Sequence, residues 1–462
     1  MTIDAPTTPS LHTRRSRLIR AFWVPIVLVI AALGVSGTIT LLHTAQLSPV
    51  DEWVYVDYLY KLPTQGVVHR GENIGEQALQ IMACDGVKVY GPMGPKCGSD
   101  YAAQLKKFPY EGKTSADLYT PIYFGITWVV GGAIHLVTGL DLVTSWRLTG
   151  PLWQAMGMVL LFFLMRMWKI RPLTILALGL AVIASPFSWW TYTYISTDAP
   201  SFILGVLALI AAIKFVRAQW SGWWVVLISA IAITFKGTNI LAIGLVGLYL
   251  LIQWLWERKS TTWSGWSTTR PGLPERRWLA LPGIAALSGV AAIVVELVWL
   301  AIRNAIAVGP PPEQGLVAPL DFNSLAAQIW NFLPNTITSN VVLVGTTQLA
   351  YRIPPWVVVP LSWICIAGVL GAFWGLHKGA TRTPVVVAVV AIALMAGPLL
   401  AISVLVQGGS YFPLPPRYGA PILGGVILLA GMTIKYRWAV WVLLGYSVAL
   451  TAAVLVTAPR FA

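Results

Sequence analysis

Charge is scarce in this 462-residue chain: 10% of its residues are Asp, Glu, Lys or Arg, against 57% hydrophobic. That excludes an ordinary soluble domain, which would have too little polar surface to show water. Acids are the scarcer sign, 17 against 31 Lys and Arg, and the formal net charge is +14. In a soluble protein such a balance points to nucleic acid. Here the bases fall in short clusters between apolar runs, which marks them as topology signals and contacts to anionic membrane lipids, with no nucleic-acid partner. Histidine and cysteine are few, at five and three. No HExxH or CxxC spacing occurs among them, which argues against a dedicated zinc or thiol-redox site. There is no Walker loop and no dinucleotide fingerprint, so a group donor would have to arrive already activated.

What the chain has instead is long uncharged runs, each near the roughly 20 residues that cross a bilayer. Arg14 to Arg20 precede a run, 22–42, that is too long for the core of a signal peptide and is followed by no close A-x-A-like site. Residues 1–20 are therefore expected to be a cytoplasmic tail, and 21–458 a single all-α membrane domain with about eleven transmembrane helices. Orienting the basic clusters inward gives spans near 21–42, 146–165, 172–190, 199–213, 222–235, 238–256, 278–301, 355–375, 384–405, 419–434 and 438–457. The N-terminus is then cytoplasmic and the C-terminus extracytoplasmic. Residues 43–145 form a large first outer loop with juxtamembrane helices, and 303–354 a second. Residues 121–138 are apolar enough to cross, but a crossing there would invert every later cluster. They are read as a helix along the outer face. Cys84 and Cys97 share the first outer loop and are expected to pair there. Cys365 lies inside an apolar run and is expected to be packing.

Under this topology only Asp4, Glu257 and Glu275 are cytoplasmic; the other 14 acids are on or near the outer side. A few lie at the membrane boundary, where a carboxylate is costly and often functional. Asp51-Glu52 comes nine residues past the first span, after Pro49, and begins a helix with Trp53, Tyr55 and Tyr58 expected to face the lipid boundary. A carboxylate there could take a proton from an acceptor hydroxyl; the alternative is a charge complementing the helix dipole. Asp117 and Asp198 are further candidates, each with an N-cap as the simpler reading. The outer bases are Lys236, Arg303, Arg352 and Arg417, the last followed by Tyr418. Positive groups there suit a lipid-linked phosphate, with snorkelling at the interface as the alternative.

The order of these features resembles the C-type (GT-C) glycosyltransferase superfamily, closest to the protein O-mannosyltransferase and lipid A aminoarabinose transferase branch. The resemblance covers roughly 20–435 and rests on five short motifs. They are Asp51-Glu52 after the first span, Asp117-Leu-Tyr-Thr-Pro with Tyr119 in place of a histidine, Arg147-Leu-Thr-Gly-Pro, Lys236-Gly-Thr, and Arg417-Tyr418. It implies a polyprenyl-phosphate sugar donor and a glycan, lipid or protein acceptor. Transfer would occur on the extracytoplasmic face of a bacterial plasma membrane, for cell-envelope synthesis, with inversion. Asp51 would be the base, with Glu52 and Asp117 orienting it, the acceptor or a metal. Lys236 and Arg417, with Tyr418 and Arg303, would hold the phosphate, and Asp198 and Tyr119 would support them. No cofactor is required by the sequence; a divalent cation, Mg or Mn, is compatible with it. The rival class is a transporter or lipid-linked sugar flippase, but no repeat relates the two halves, and Glu296 is the only acid deep in a span.

Overall fold

The computed structural model describes residues 11–263, 277–312, 318–339, 341–343, 346–348, 355–376, 381–408 and 411–460. The expected tail up to residue 10, and Arg352, lie outside them. The described chain is helical throughout apart from two three-residue antiparallel strands, Val341–Leu343 and Thr346–Gln348. α1 (Leu11–Leu42) leads to α2 (Glu52–Gln65) and α3 (Glu76–Cys84), then α4 (Pro121–Thr138) and α5 (Leu142–Arg147). The bundle continues through α6 (Thr149–Met167), α7 (Pro172–Ile183), α8 (Pro186–Tyr192), α9 (Ala199–Val216), α10 (Trp223–Phe235), α11 (Ile240–Trp263) and α12 (Arg277–Ala305). It ends with α13 (Phe322–Asn335), α14 (Pro355–Trp374), α15 (Thr383–Gly408), α16 (Ala420–Thr433) and α17 (Arg437–Thr457).

Nine of the described helical segments are long and apolar enough to cross a membrane, or ten if α7 and α8 form one broken span. The expected eleven differ from these in three places. The span over 172–190 is two helices bent by 62°, because Ser185 caps α8 and Pro186 cannot continue α7. α10 and α16 have 13 and 14 residues, short for a crossing. α4 passes the same length and composition test, yet it packs chiefly on α2 and α5, with lesser contacts to α6 and α10. The 43–145 segment holds the expected juxtamembrane helices and, beyond its turn-rich sequence, α3; the segment 303–354 holds α13.

The outer faces of α14, α12 and α17 carry exposed Trp356, Trp363, Val294, Leu297, Trp438 and Trp441, as helices bathed in lipid should. Small residues let the inner helices approach. A Cβ at Gly205 would overlap the backbone of Pro421, and one at Gly424 would overlap Val206. This close parallel contact sets the start of α9 beside the start of α16. It also sorts charge between two poles. Asp51, Asp198, Lys236 and Arg417 meet at one. The basic turns at 166–171, 382 and 435 meet at the other, where Arg171 donates to the Lys435 carbonyl at 3.0 Å.

Cys84 and Cys97 form a disulfide, and Cys365 is buried and free. The segment after Cys84 pairs with the chain ahead of α2: Leu47 N donates to Gly86 O at 3.0 Å and Lys88 N to Leu47 O at 2.8 Å. The bridged loop thereby holds the strand-like stretch that delivers Asp51.

Candidate active site

Asp51 is the residue before α2, and its backbone is left-handed, with φ 58° and ψ 8°. Such a conformation is tolerated by Asp better than by most side chains. It turns the chain sharply, so that neighbouring carboxylates leave in different directions. Asp51 makes no side-chain cap to α2. Its carboxylate is 41% exposed and accepts from Arg417 Nη2 at 3.1 Å. It therefore acts through Arg417 rather than as a hydrogen-bonding cap, while its charge still stands at the start of α2, where the helix dipole favours an acid.

Arg417 is also bonded to Asp198, Nε to Oδ2 at 3.2 Å. Asp198 in turn receives Lys236 Nζ on Oδ1 at 2.5 Å. Asp198 stands at the N-cap position of α9 yet caps nothing with its side chain; both of its oxygens serve the two cations. It is 2% exposed at the side chain and Lys236 5%. Lys236 reaches it because α10 ends at Phe235 and the turn 237–239 restarts the chain. Four charges of alternating sign thus form a neutral chain, Asp51–Arg417–Asp198–Lys236, with only Asp51 substantially open.

Three phenols floor this chain. Lys236 lies over the rings of Tyr418 at 4.9 Å and Tyr119 at 5.8 Å, and Arg417 over Tyr418 at 5.4 Å. Tyr55 and Tyr119 place their hydroxyls 3.2 Å apart, and Thr197 donates to Tyr55 at 3.3 Å. Burial pushes all three phenols up, Tyr418 to about 12, so they remain hydroxyl donors near neutrality. Burial lowers Lys236 from its ordinary value, partly offset by Asp198. For Arg417 burial acts in the same sense, but Tyr418, Asp51 and Asp198 outweigh it and the group is held above the usual guanidinium range.

The aromatic residues after Asp51 correct one expectation. Trp53, Tyr55 and Tyr58 do not face lipid; they are 7%, 2% and 0% exposed. Tyr58 stacks on Phe124 of α4, ring centroids 3.9 Å apart, because α4 covers α2 on the side where lipid was expected.

Glu52 stands apart from the cluster. It is fully buried and takes Arg147 Nε and Nη2, both at 2.9 Å, the Ser48 N–H at 2.6 Å and the Ile195 N–H at 2.9 Å. Arg147 also donates to the carbonyls of Thr44 and Gln46. Four donors fill the Glu52 carboxylate, so it joins the first loop to α5 and to the turn before α9 and has no evident room for an acceptor. Its place is that of a positioning residue, and Arg147 is the partner that sequence reasoning did not assign.

Asp117 is buried in a short 3₁₀ turn and paired with Arg303 Nε at 2.6 Å. It is not the N-cap of α4; Thr120 fills that position. Trp299, one turn from Arg303, donates to Leu118 O at 3.1 Å. Arg303 is thus engaged in holding the 117–119 turn against α12 rather than joined to Arg417 and Lys236.

Among the described residues no group of three or more His, Cys, Asp or Glu could hold a metal. Asp51 and Asp198 share the Arg417 guanidinium, and Asp198 also holds the Lys236 ammonium. Cations thus occupy the oxygens of this pair, which among the described residues does not make a donor set for Mg or Mn.

No family model and no curated protein sequence matches the chain. Two solved structures share its fold. Arabinofuranosyltransferase AftD from Mycobacteria superposes with a TM-score of 0.50 at 14% identity over 95% of this chain. ArnT from Cupriavidus metallidurans, solved bound to undecaprenyl phosphate, superposes with a TM-score of 0.51 at 17% identity over 93%. The chain spans 27% of the first and 63% of the second. The helical order and these superpositions agree on the fold: the chain has the many-helix membrane fold of these two proteins, the fold expected from its GT-C-like motifs.

Proposed function

We propose that the chain is a glycosyltransferase that moves a sugar from a polyprenyl-phosphate donor to an acceptor hydroxyl at the extracytoplasmic face. One observation carries the reading: an open carboxylate, Asp51, shares Arg417 with a buried Asp198–Lys236 pair at the pole away from the basic turns. The fold it shares with ArnT, a protein solved with undecaprenyl phosphate, supports the donor class.

The donor phosphate would enter beside Arg417 and Lys236. The four-charge chain is neutral, so an arriving anion competes with Asp51 for Arg417, while Asp198 keeps the cations aimed. Loss of that bond frees Asp51. The acceptor oxygen attacks the anomeric carbon as its proton passes to the Asp51 carboxylate. The bond from that carbon to the phosphate oxygen breaks, and its electron pair leaves with polyprenyl phosphate. In-line attack inverts the anomeric centre. Arg417, Lys236 and the phenols stabilise the charge that grows on the leaving phosphate. A phosphate leaves without a proton donor, so one carboxylate suffices where most glycosidases use two.

The test is direct. Protein in lipid nanodiscs is given radiolabelled polyprenyl-phosphate sugars with envelope lipids, glycans and peptides as acceptors. Transfer of label is expected. Absence of transfer or donor hydrolysis across the donor panel, with folded protein, would overturn the reading.

A further inference from the structure

The pole opposite Asp51 holds a second cluster that the transfer chemistry does not use. Between the turn after α6, the turn before α15 and the turn after α16 is a cavity of about 220 Å³. Its charged lining residues are Lys169, Arg171, Arg382 and Lys435, all cations. Arg171 and Arg382 donate to the backbone carbonyls of Lys435 and Gly375, and none of the four is ion-paired to a carboxylate among the described residues. Like charges converging on one cavity repel unless an anion lies between them. Trp168, which also lines it, has a buried indole N–H with no hydrogen-bond partner. Lys169 holds a left-handed backbone, φ 58°, at a helix end where glycine is the usual residue.

This cavity shares the lining residue Ile434 with a second one. The second is a slot of about 380 Å³ between α14, α16 and α17, lined by side chains such as Ile364, Ala439, Val442 and Leu443. A slot of this composition, opening within the span of three apolar helices, is filled by hydrocarbon rather than water. Four cations at the head of a hydrocarbon slot match the two parts of a charged lipid, and basic pockets between helices at the inner leaflet recognise anionic headgroups. We propose that this is a binding site for one anionic glycerophospholipid, its headgroup phosphate among Lys169, Arg171, Arg382 and Lys435 and an acyl chain in the slot below Ile434. The site is independent of the sugar chemistry. It does, however, abut the far end of α16, the helix that begins just after Arg417.

The test is lipid retention by native mass spectrometry of the full chain released from detergent, titrated with phosphatidylglycerol or phosphatidylcholine. One phosphatidylglycerol should be retained per chain, about ten-fold or more in preference to phosphatidylcholine. The combined K169Q, R171Q and K435Q changes should abolish that preference. Ala439→Trp, which closes the slot and leaves every cation, should reduce retention as well, and it decides the matter if the charge variant folds poorly. Equal retention of the two lipids, or unchanged retention in Ala439→Trp, would overturn the proposal. So would displacement by inorganic phosphate at the lipid's own concentration, which would mean a free-anion site. Preferred retention of undecaprenyl phosphate would instead assign the cluster to the donor lipid.

Discussion

Arg417 and Asp51 are 366 residues apart in the chain and 3.1 Å apart in space, and the same guanidinium reaches Asp198 through Nε at 3.2 Å. One side chain therefore ties an open carboxylate to a buried one. The two acids are made different by what surrounds them: Asp198 is enclosed by cations, whereas Asp51 has a single cation and solvent. That asymmetry is what a base beside a phosphate clamp requires.

Asp51→Asn should lower the turnover number by about 10²- to 10⁴-fold, the usual worth of a positioned base. It should leave the melting temperature nearly unchanged, because the Asp51 pair is partly exposed and contributes little to stability. Turnover with labelled donor and thermal denaturation in detergent measure both. Full activity in this variant would remove Asp51 from the mechanism while leaving the enzyme class standing.

Asp198→Asn should behave oppositely in stability. It leaves Lys236 buried without its countercharge, and breaking a buried pair from one side costs about 3–5 kcal/mol. A clear fall in melting temperature is expected, together with weaker retention of a polyprenyl phosphate as Arg417 and Lys236 lose their common anchor.

Glu52→Gln should cost stability on the same scale, about 3–5 kcal/mol, because buried Arg147 then loses its countercharge and the new amide NH2 cannot accept from the Ser48 or Ile195 N–H group that faces it. The informative comparison is with Asp51→Asn. Adjacent acids should give one variant that is folded and inactive and another that is poorly folded. Matching melting temperatures would show that Glu52 is not the pin its contacts describe.

Asp57 makes a pH prediction. Burial, the largest influence, raises its carboxyl from 3.8 to about 6, against the pull of Lys61 and the Gly75 N–H. A carboxyl raised in the folded state binds its proton more tightly there than in the unfolded chain. Its contribution to stability is therefore present at low pH and lost as pH rises from about 4 to 6. Glu72, which burial raises but the His69 N–H, Lys61 and Gln65 together hold below its ordinary value, acts in the opposite sense as pH falls below about 4.5. Urea melts of the outer-loop signal at pH 4.5 and 6.5 should show the slope, and Asp57→Asn should flatten it.

Removing the Cys84–Cys97 bridge with paired serines should cost about 3 kcal/mol for a loop of this length. Because residues 86–88 hold Leu47, activity should fall before global unfolding. Activity and melting temperature followed through a reductant titration would separate the two.

Local signals in the chain carry much of this. Asp51, Asp117, Asp198, Lys236 and Arg417 are boundary charges next to apolar runs, and their identity as candidates needs only hydropathy and the inward bias of Lys and Arg. The break at Lys236-Gly237 is also written locally, in a turn; the one at Ser185-Pro186 is not read from the sequence, where 172–190 passes as one apolar span. Glu52 and Arg147 were legible only as members of short motifs; that they satisfy one another could not be read from a separation of 95 residues.

The sequence alone determined that this is a many-helix membrane chain, which turns expose its charges, and that its outer acids need a reason. Those properties follow from the cost of placing charge or an unbonded backbone in hydrocarbon, a cost each segment bears by itself. Only the tertiary structure decided how the charges are shared. The close contact of Gly205 with Pro421 brings α9 and α16 together, and so brings Asp198 to Arg417. The left-handed turn at Asp51 sends it and Glu52 to different partners. Pairing across hundreds of residues depends on which helix faces touch, and no single stretch of sequence carries that information.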